Sequence, residues 1–426
     1  MVKTPVGPAT VTGGFHYLES VQSHPASSTL AEVVYDQLRQ RLYASDGGSN
    51  VVDVFDLSKQ LFLTPITVGK APQALAITPD FNTLVVSNGA ARTISIADLT
   101  GLNAMKTVSV TNLPNLPLQC GQPILYAVAT TSNNKAVIAL KCPNVTAGEY
   151  IVLDLATQTV GCGASPGCAA MMAAFPQNLD QVLTVSGTTD GSSILLGNGI
   201  TIGLWDVSAG TFTTQVISNV TLANPVVQTA VAADGTAFEQ VYGTFDPMLS
   251  QFSVMQDVDY LQGGVNDTNL LPGEKLHPSG ALLYYPESGG FSIYDVHQGR
   301  LKQRVALTQL IASTFDAMTI DETGSQVFLL TTTGLTVVNI ADLPLSIGNV
   351  KPARGSASGG TTVVVRGSGF QNGAQVLFNK TPASVQFIDG STLQVTSPAV
   401  SAGAVRITVV NPNSNQYLLD DAYTAQ

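Results

Sequence analysis

Residues 42–57 read LYASDGGSNVVDVFDL, and residues 84–99, which lie 42 positions further along the chain, read LVVSNGAARTISIADL. Each segment places short apolar runs on both sides of a turn rich in Gly, Asn and Ser, a pattern that predicts a pair of antiparallel strands. The preceding segment QALAITPDFNT adds an earlier strand and a Pro-Asp turn, and MKTVSV adds a later strand. One unit of the repeat is therefore predicted to hold four strands joined by tight polar turns.

The end of the third strand marks each copy of this unit. A four-stranded unit that recurs about every 40–50 residues is typical of a β-propeller blade, because each sheet covers the faces of its neighbours in a ring. The markers predict seven blades. They are Asp56, Asp98, Asp154, Asp206, Gln256, Asp295 and Asn339.

Closure of the ring requires an outer strand that the last blade lacks. Pro344 follows soon after the last marker and leaves little room for a further strand. A closed ring has no uncovered blade at either end, which removes exposed sheet edges. We expect the N-terminal segment around residues 9–17 to supply the missing strand.

The pattern changes near residue 345. The segments SGGTTVVVRGSGF and GAVRITVVNP place Gly pairs between β-branched runs. About 80 residues with several alternating strands fit a small Ig-like sandwich. We predict an all-β chain: a seven-bladed β-propeller over residues 1–345, followed by a small Ig-like β-sandwich over residues 346–426.

Both parts of the chain resemble known families. LYASDGGSNVVDVFDL, VGKAPQALAITPD and LVVSNGAARTISIADL resemble the YVTN-type β-propeller repeat family, whose members are typically exported or surface-layer proteins of bacteria and archaea. A minority of related propellers are lactonases or lyases. The tail, with SGGTTVVVRGSGF and GAVRITVVNP, is similar to the IPT/TIG domain, which implies a cell-surface receptor, an extracellular spacer or a transcription factor.

Composition excludes two classes of partner. Only 11% of the residues are charged, against about 25% in an average soluble domain. The net charge is −11, and 18 Lys and Arg residues are too few to build a basic stripe for nucleic acid. The apolar runs are too short for a membrane-spanning helix.

MVKTPVGPATV lacks the apolar core of a signal peptide, so we expect that an export signal has been removed.

The four cysteines indicate an oxidising compartment. An even number within a short segment predicts disulfides, here Cys162–Cys168 and Cys120–Cys142. Successive cysteines lie 22, 20 and 6 residues apart, which matches no paired zinc site. The acidic segment 257–269 does not follow the calcium-loop order either. We therefore predict no metal and no cofactor, and an extracellular, periplasmic or cell-surface location.

Ligand-binding residues of a propeller usually lie at the axial mouth, where the inner strands begin. Aligned on Gln73, the ring includes Ala31 and Asp316, and blade 6 adds Glu274 with Lys275 nearby. We expect one carboxylate in register and no catalytic constellation. On the same face we predict contacts from Gln122 and the 162–168 loop. Trp205 is interpreted as blade packing, with sugar stacking as the alternative.

The predicted ligand-binding residues are Gln73, Gln122, Glu274 and Asp316, and no catalytic residue is assigned. The favoured function is an exported or cell-surface, non-catalytic binding or structural protein. The propeller would be an interaction scaffold for an unidentified protein or glycan, and the Ig-like tail a spacer or second contact. The alternative is an extracellular propeller enzyme, a lyase or hydrolase of lactone or polysaccharide substrates.

Overall fold

The fold is almost entirely β-structure. In a computed structural model, the described residues are 2–4, 7–9, 18–26, 30–101, 105–110, 124–141, 148–163, 165–174, 183–197, 201–216, 227–231, 237–242, 247–252, 258–259, 271, 273–312, 314 and 316–426. Within these residues the single helix spans Pro166–Ala174. The described part of the chain has no helix that is long and apolar enough to cross a membrane.

The described strands of the first part of the chain form seven blades of antiparallel sheet. Strands are given from the innermost outward. Blade 1 has Leu30–Asp36, Arg41–Asp46, Val51–Asp56, and Leu61–Phe62 with Ile66–Thr67; blade 2 has Pro72–Ile77, Thr83–Asn88, Thr93–Asp98 and Met105–Ser109; blade 3 has Ile124–Thr130, Lys135–Lys141, Gly148–Asp154 and Thr159–Val160; blade 4 has Thr184–Gly187, Ser193–Gly197, Thr201–Asp206 and Thr211–Val216.

The remaining blades have the same order. Blade 5 has Val227–Val231, Ala237–Tyr242, Pro247–Phe252 and Val258–Asp259; blade 6 has Lys275–Leu276, Leu282–Glu287, Gly290–Asp295 and Arg300–Ala306; blade 7 has Met318–Ile320, Gln326–Thr331, Gly334–Ile340 and the N-terminal strand Leu18–Pro25. Two short strands, Val2–Thr4 and Gly7–Ala9, pair with each other. The predicted β-propeller is confirmed, and the described sheets number seven, as the markers predicted.

Burial on both faces of each blade explains the repeat. In the second strand of blade 2, Leu84 and Val86 pack with Tyr43 of blade 1, whereas Val85 packs with Ile138 of blade 3. Successive side chains of a strand point to opposite faces, so a strand between two blades buries consecutive apolar residues. This arrangement produces short continuous apolar runs in place of an alternating pattern.

The marker aspartates cap the turn between the third and fourth strands. Each accepts a hydrogen bond from the backbone N–H three residues later, or two residues later for Asp98, at 2.7–3.0 Å. Such Asx turns fix the direction in which the chain reverses. The sequence marker therefore has a structural cause. The pairs are Asp56–Lys59, Asp98–Thr100, Asp154–Thr157, Asp206–Ala209 and Asp295–Gln298.

The N-terminal strand closes the ring, but not at the predicted position. Leu18–Pro25 pairs with Gly334–Ile340 of blade 7, whereas residues 10–17 lie outside the described residues. The outer strand of one blade must lead directly into the inner strand of the next. The outer strand of blade 7 must therefore come from the segment immediately before Leu30. The predicted segment, residues 9–17, lies too early in the chain. The inner strands of blades 7 and 1 meet at a parallel bridge between Asp316 and Glu32.

The segment that follows blade 3 contains the predicted Cys162–Cys168 disulfide, whereas Cys120 and Cys142 lie outside the described residues. Cys168 lies in the helix Pro166–Ala174, which packs on blade 4. Gly167 lies so close to Trp205 that a Cβ atom would come within 2.7 Å of the indole nitrogen. Trp205 is completely buried, so blade packing is correct and a sugar-stacking platform is excluded.

The C-terminal strands form two sheets with a separate core. Phe370 is buried in that core against Gly367, whose missing side chain leaves room for the ring. One sheet contains Ser346–Lys351, Thr362–Ser368, Thr392–Thr396 and Ser384–Asp389, in that order; the other contains Arg354–Gly355, Gln416–Ala425, Gly403–Val410, Gln375–Phe378 and Thr381–Pro382.

The C-terminal domain is docked on blade 6. The Tyr417 hydroxyl donates to the buried Asp295 carboxylate at 2.8 Å. Asn349 donates to the Ser279 carbonyl at 3.0 Å, and His297 donates to the Gly348 carbonyl at 2.7 Å. Ser279 and His297 belong to turns at the ends of the inner and third strands. We call the face that carries these turns the lower face, and the face where the inner strands begin the upper face.

Candidate functional site

Four ionisable side chains from blades 1, 6 and 7 meet at the propeller axis. We call Glu32, Glu274, Lys275 and Asp316 the axial cluster. The Lys275 ammonium is paired with Asp316 at 2.5 Å between Nζ and Oδ2. Glu32 accepts a hydrogen bond from the Leu75 backbone N–H at 2.9 Å. The cluster thus holds three carboxyl groups and one ammonium group.

Glu274 is the member without a hydrogen-bonding partner. Its side chain is only 2% exposed, and neither carboxyl oxygen has a partner among the described residues. Burial raises the pKa of Glu274 from 4.5 to about 7, although the nearby backbone N–H groups of Gly273 and Glu274, which do not reach hydrogen-bonding geometry, act to lower it. The preceding Gly273 has φ +113°, and a Cβ atom there would lie 3.0 Å from the Asp316 carboxylate. Because Gly273 has no side chain, the backbone can pass close to the axis and place Glu274 there.

The other charges of the cluster influence one another. Burial raises the pKa of Glu32 well above its ordinary value, and the neighbouring Asp316 carboxylate raises it further. Burial also raises the pKa of Asp316, against the opposing effect of Lys275. Burial alone would lower the pKa of Lys275, but the carboxyl groups around it raise it above the usual value. Lys275 is therefore an ammonium ion and cannot serve as a nucleophile or base.

Two cavities flank the axial cluster, and Glu32 lines both. The upper cavity has a volume of about 260 Å³ and is lined by Gln73, Tyr126 and Lys141. The lower cavity has a volume of about 250 Å³. The other three members of the cluster line the lower cavity, which reaches the lower face beside Asp321 and Glu322.

The structure brings two of the four predicted site residues together. Glu274 and Asp316 belong to the axial cluster, whereas Gln73 lies in the wall of the upper cavity, and Gln122 lies outside the described residues. The expectation of a single carboxylate in the ring was wrong. Sequence alignment placed Ala31 opposite Gln73 and overlooked Glu32.

Glu32 was missed because the alignment took only one position from the inner strand of blade 1, Ala31, whereas the next residue also reaches the axis. The pairing of the first two strands of blade 1 shifts register between Leu30 and Val33. A bulge inserts one residue and re-aims the side chains beside it. Blade 2 has the same bulge 42 residues later, between Pro72 and Leu75, so the repeat is kept and Glu32 corresponds to Ala74, one position beyond the aligned pair Ala31 and Gln73. A charged residue inside an otherwise apolar inner strand was the signal that could have identified Glu32.

The 162–168 loop does not lie on the upper face with the starts of the inner strands. Gly167 approaches the carbonyl of Gly210, which belongs to the turn after the third strand of blade 4. That turn is on the lower face, at the outer part of the blade. Cys168 is fully buried against this blade. The loop therefore contributes packing between blades 3 and 4, and it is remote from the axial cluster.

Replacing Glu274 by Gln should change the stability of the protein only at higher pH. The folded-state pKa of about 7 exceeds the ordinary value of 4.5, so the folded protein retains this proton while the unfolded chain loses it. Stability therefore falls as the pH rises from 4.5 to 7. Above this range, ionisation of Glu274 has lowered the free energy of unfolding of the wild type by about 3 kcal/mol. Glu274→Gln has no ionisable group at this position and does not lose this stability.

Urea unfolding of both proteins across this pH range measures the effect. The free energy of unfolding of Glu274→Gln, minus that of the wild type, should rise with pH and level off above the pKa. A difference that is constant with pH would show that Glu274 titrates normally.

Comparison with known proteins identifies the C-terminal domain. Residues 345–425 match the IPT/TIG domain family. These residues form an IPT/TIG domain. The match covers the two C-terminal sheets and agrees with the resemblance of SGGTTVVVRGSGF and GAVRITVVNP to that family. It covers less than half of the chain, so it assigns this domain and not the whole protein.

Solved structures support the propeller fold that precedes the IPT/TIG domain. Kuenenia stuttgartiensis hydrazine synthase superposes with a TM-score of 0.54 at 14% identity, covering 76% of this chain and 99% of that chain. The Cps50 (Swd1) β-propeller domain of Myceliophteria thermophila superposes with a TM-score of 0.53 at 10% identity, covering 76% of this chain and all of that domain. These likenesses show the fold alone. Membership of the YVTN repeat family stays a prediction.

One curated relative shares sequence with part of the chain. Fibrocystin-L of Mus musculus is 30% identical over an alignment of 198 residues, and the match covers 44% of this chain. The match covers 4% of fibrocystin-L, so the chain spans a very small part of that protein.

Proposed function

We propose that this chain is an exported, non-catalytic binding protein whose propeller is the scaffold and takes its ligand at the axis. The observation that supports this most is Glu274, a buried carboxyl group in a cavity wall with both oxygens free of partners among the described residues. Buried polar groups in native proteins are nearly always hydrogen-bonded, so an exception needs an explanation. A ligand that donates hydrogen bonds to Glu274 provides one.

Export is supported by separate features. The Cys162–Cys168 disulfide is expected to persist in an oxidising compartment. The chain has few charged residues, and its IPT/TIG domain is of a kind found in cell-surface proteins. We place the protein outside the cell, in the periplasm or on the cell surface. We also propose residues 1–345 and 346–426 as its two structural units.

The partner is proposed to be a protein or a glycan, and a screen can test this. The intact chain should be applied to glycan and protein arrays beside two variants, Glu274→Gln and Glu149→Gln. Glu149 is a matched control because burial also raises its pKa to about 7, yet it lines neither cavity. A ligand that uses the axis should lose binding to Glu274→Gln only. Equal binding to all three proteins would place the site elsewhere, most plausibly on the IPT/TIG domain.

Catalysis is the second candidate, and the pKa of Glu274 favours it. A carboxyl group with a pKa of about 7 can act as a general acid or base near neutral pH. The substrates would be lactones or polysaccharides, cleaved by a lyase or hydrolase. We expect binding without turnover. Turnover that disappears in Glu274→Gln but persists in Glu149→Gln would reverse this assignment.

A further inference from the structure

We propose that the lower cavity binds a small organic cation, with a primary ammonium group hydrogen-bonded to Glu274. This inference rests on the proposed function and adds the chemical class of the ligand. The lower cavity is the one lined by Glu32, Glu274, Lys275 and Asp316 that opens on the lower face of the propeller.

Charge balance in the axial cluster favours a cation. The single ammonium of Lys275 is paired with Asp316. Glu32 and Glu274 have no cation of their own within the axial cluster, so each of these two carboxyl groups adds an uncompensated negative charge when it ionises. Charges attract more strongly in a partly buried site than in water. A cationic ligand would therefore be favoured, whereas an anion would be repelled.

Hydrogen-bonding capacity favours an ammonium group over a metal ion. Both oxygens of Glu274 are acceptors without partners among the described residues. The hydroxyl of Ser186, in the wall of the same cavity, is also without a partner there. An alkylammonium group supplies three N–H donors. No three His, Cys, Asp or Glu side chains of the described part of the chain are arranged to hold a metal ion.

The entrance and the size of the cavity limit the ligand further. Asp321 and Glu322 line the cavity where it reaches the lower face. Carboxylates at an entrance raise the local concentration of cations. A volume of about 250 Å³ is smaller than the usual drug-sized pocket, so the group that enters it is small. A protein or glycan partner could place one amine-bearing group in this cavity.

Titration calorimetry with three probes of equal chain length tests the proposal. n-Butylammonium, n-butanol and n-butyrate should each be titrated into the full-length protein at about pH 8, where Glu274 is ionised. We expect n-butylammonium to bind and the neutral and anionic probes to bind at least about tenfold more weakly. Glu274→Gln should weaken n-butylammonium binding about tenfold or more, because it removes a charged acceptor.

Glu149→Gln is the matched control, and n-butylammonium should bind it as it binds the wild type. The proposal is overturned if n-butylammonium fails to bind, if butyrate binds equally well, or if both variants lose binding to the same extent. An array partner that depends on Glu274, found while n-butylammonium fails to bind, would refute the ligand class and leave the proposed function intact.

Discussion

Deletion of residues 1–25 should lower the free energy of unfolding by about 4 kcal/mol or more, because it removes the outer strand of blade 7 and opens the ring. The strand Leu18–Pro25 is hydrogen-bonded along Gly334–Ile340 and covers its edge. The ring of His24 also packs on Phe55 of blade 1, with 4.3 Å between ring centres. Loss of the strand would expose apolar surface on both blades that meet at the closure.

The matched control is deletion of residues 1–17, which leaves Leu18–Pro25 in place. Urea unfolding should give a free energy close to that of the full chain for this control. The shorter deletion should also retain the cooperativity of the transition. Equal losses of stability from the two deletions would contradict closure by Leu18–Pro25.

The second large effect is expected at the junction with the IPT/TIG domain. Gly348→Ala should separate this domain from blade 6, because a Cβ atom at position 348 would lie 2.0 Å from the backbone oxygen of Ser279. A small local shift of the backbone cannot relieve so close a contact. The hydrogen bond from Tyr417 to the buried Asp295 would be lost with the contact. A hydrogen bond to a buried charged group contributes about 1.5–3 kcal/mol, so we expect a loss of that size.

Limited proteolysis and calorimetry measure this separation. Cleavage within residues 341–346 should be faster in Gly348→Ala than in the wild type, and the two units should unfold at more widely separated temperatures. Gly390→Ala is the control in the same domain, because the nearest atom to its Cβ would be 3.7 Å away. If Gly348→Ala and Gly390→Ala behave alike, the docked arrangement does not persist in solution.

The repeat was predictable because it follows from local chemistry. Asp56 and Asp98 mark successive blades since each caps the same turn, and a turn depends on only a few neighbouring residues. The IPT/TIG segment was recognisable for the same reason. Local signals of this kind predicted the all-β propeller and the Ig-like tail without knowledge of any long-range contact.

Features that depend on distant contacts were harder to predict. The position of the closing strand is set by its pairing with Gly334–Ile340, more than 300 residues away in the chain. The bulge beside Glu32 recurs in blade 2, but Ala74 stands at the matching position there, so the repeat does not mark Glu32 as a residue of the site. Docking of the C-terminal domain through Tyr417 and Asp295 could not be inferred from either segment alone.

The candidate site was likewise predictable only where it depends on local sequence. Glu274 and Asp316 were identified because the repeat places the starts of inner strands at the axis. Their coupling to Glu32 was not predicted, and neither was the buried state of Glu274, because both depend on the packing of blades 1, 6 and 7. Burial, more than residue type, gives this carboxyl group its unusual pKa.

Direct titration of Glu274 tests the central claim, that a buried carboxyl group without a partner lies at the propeller axis. The protein can be labelled at the carboxyl carbon of glutamate and followed by NMR over a pH series, with Glu274→Gln used to assign the signal. The structure predicts a midpoint at about pH 7. A midpoint near the ordinary 4.5 would contradict it, since Glu274 would then be solvated or already paired.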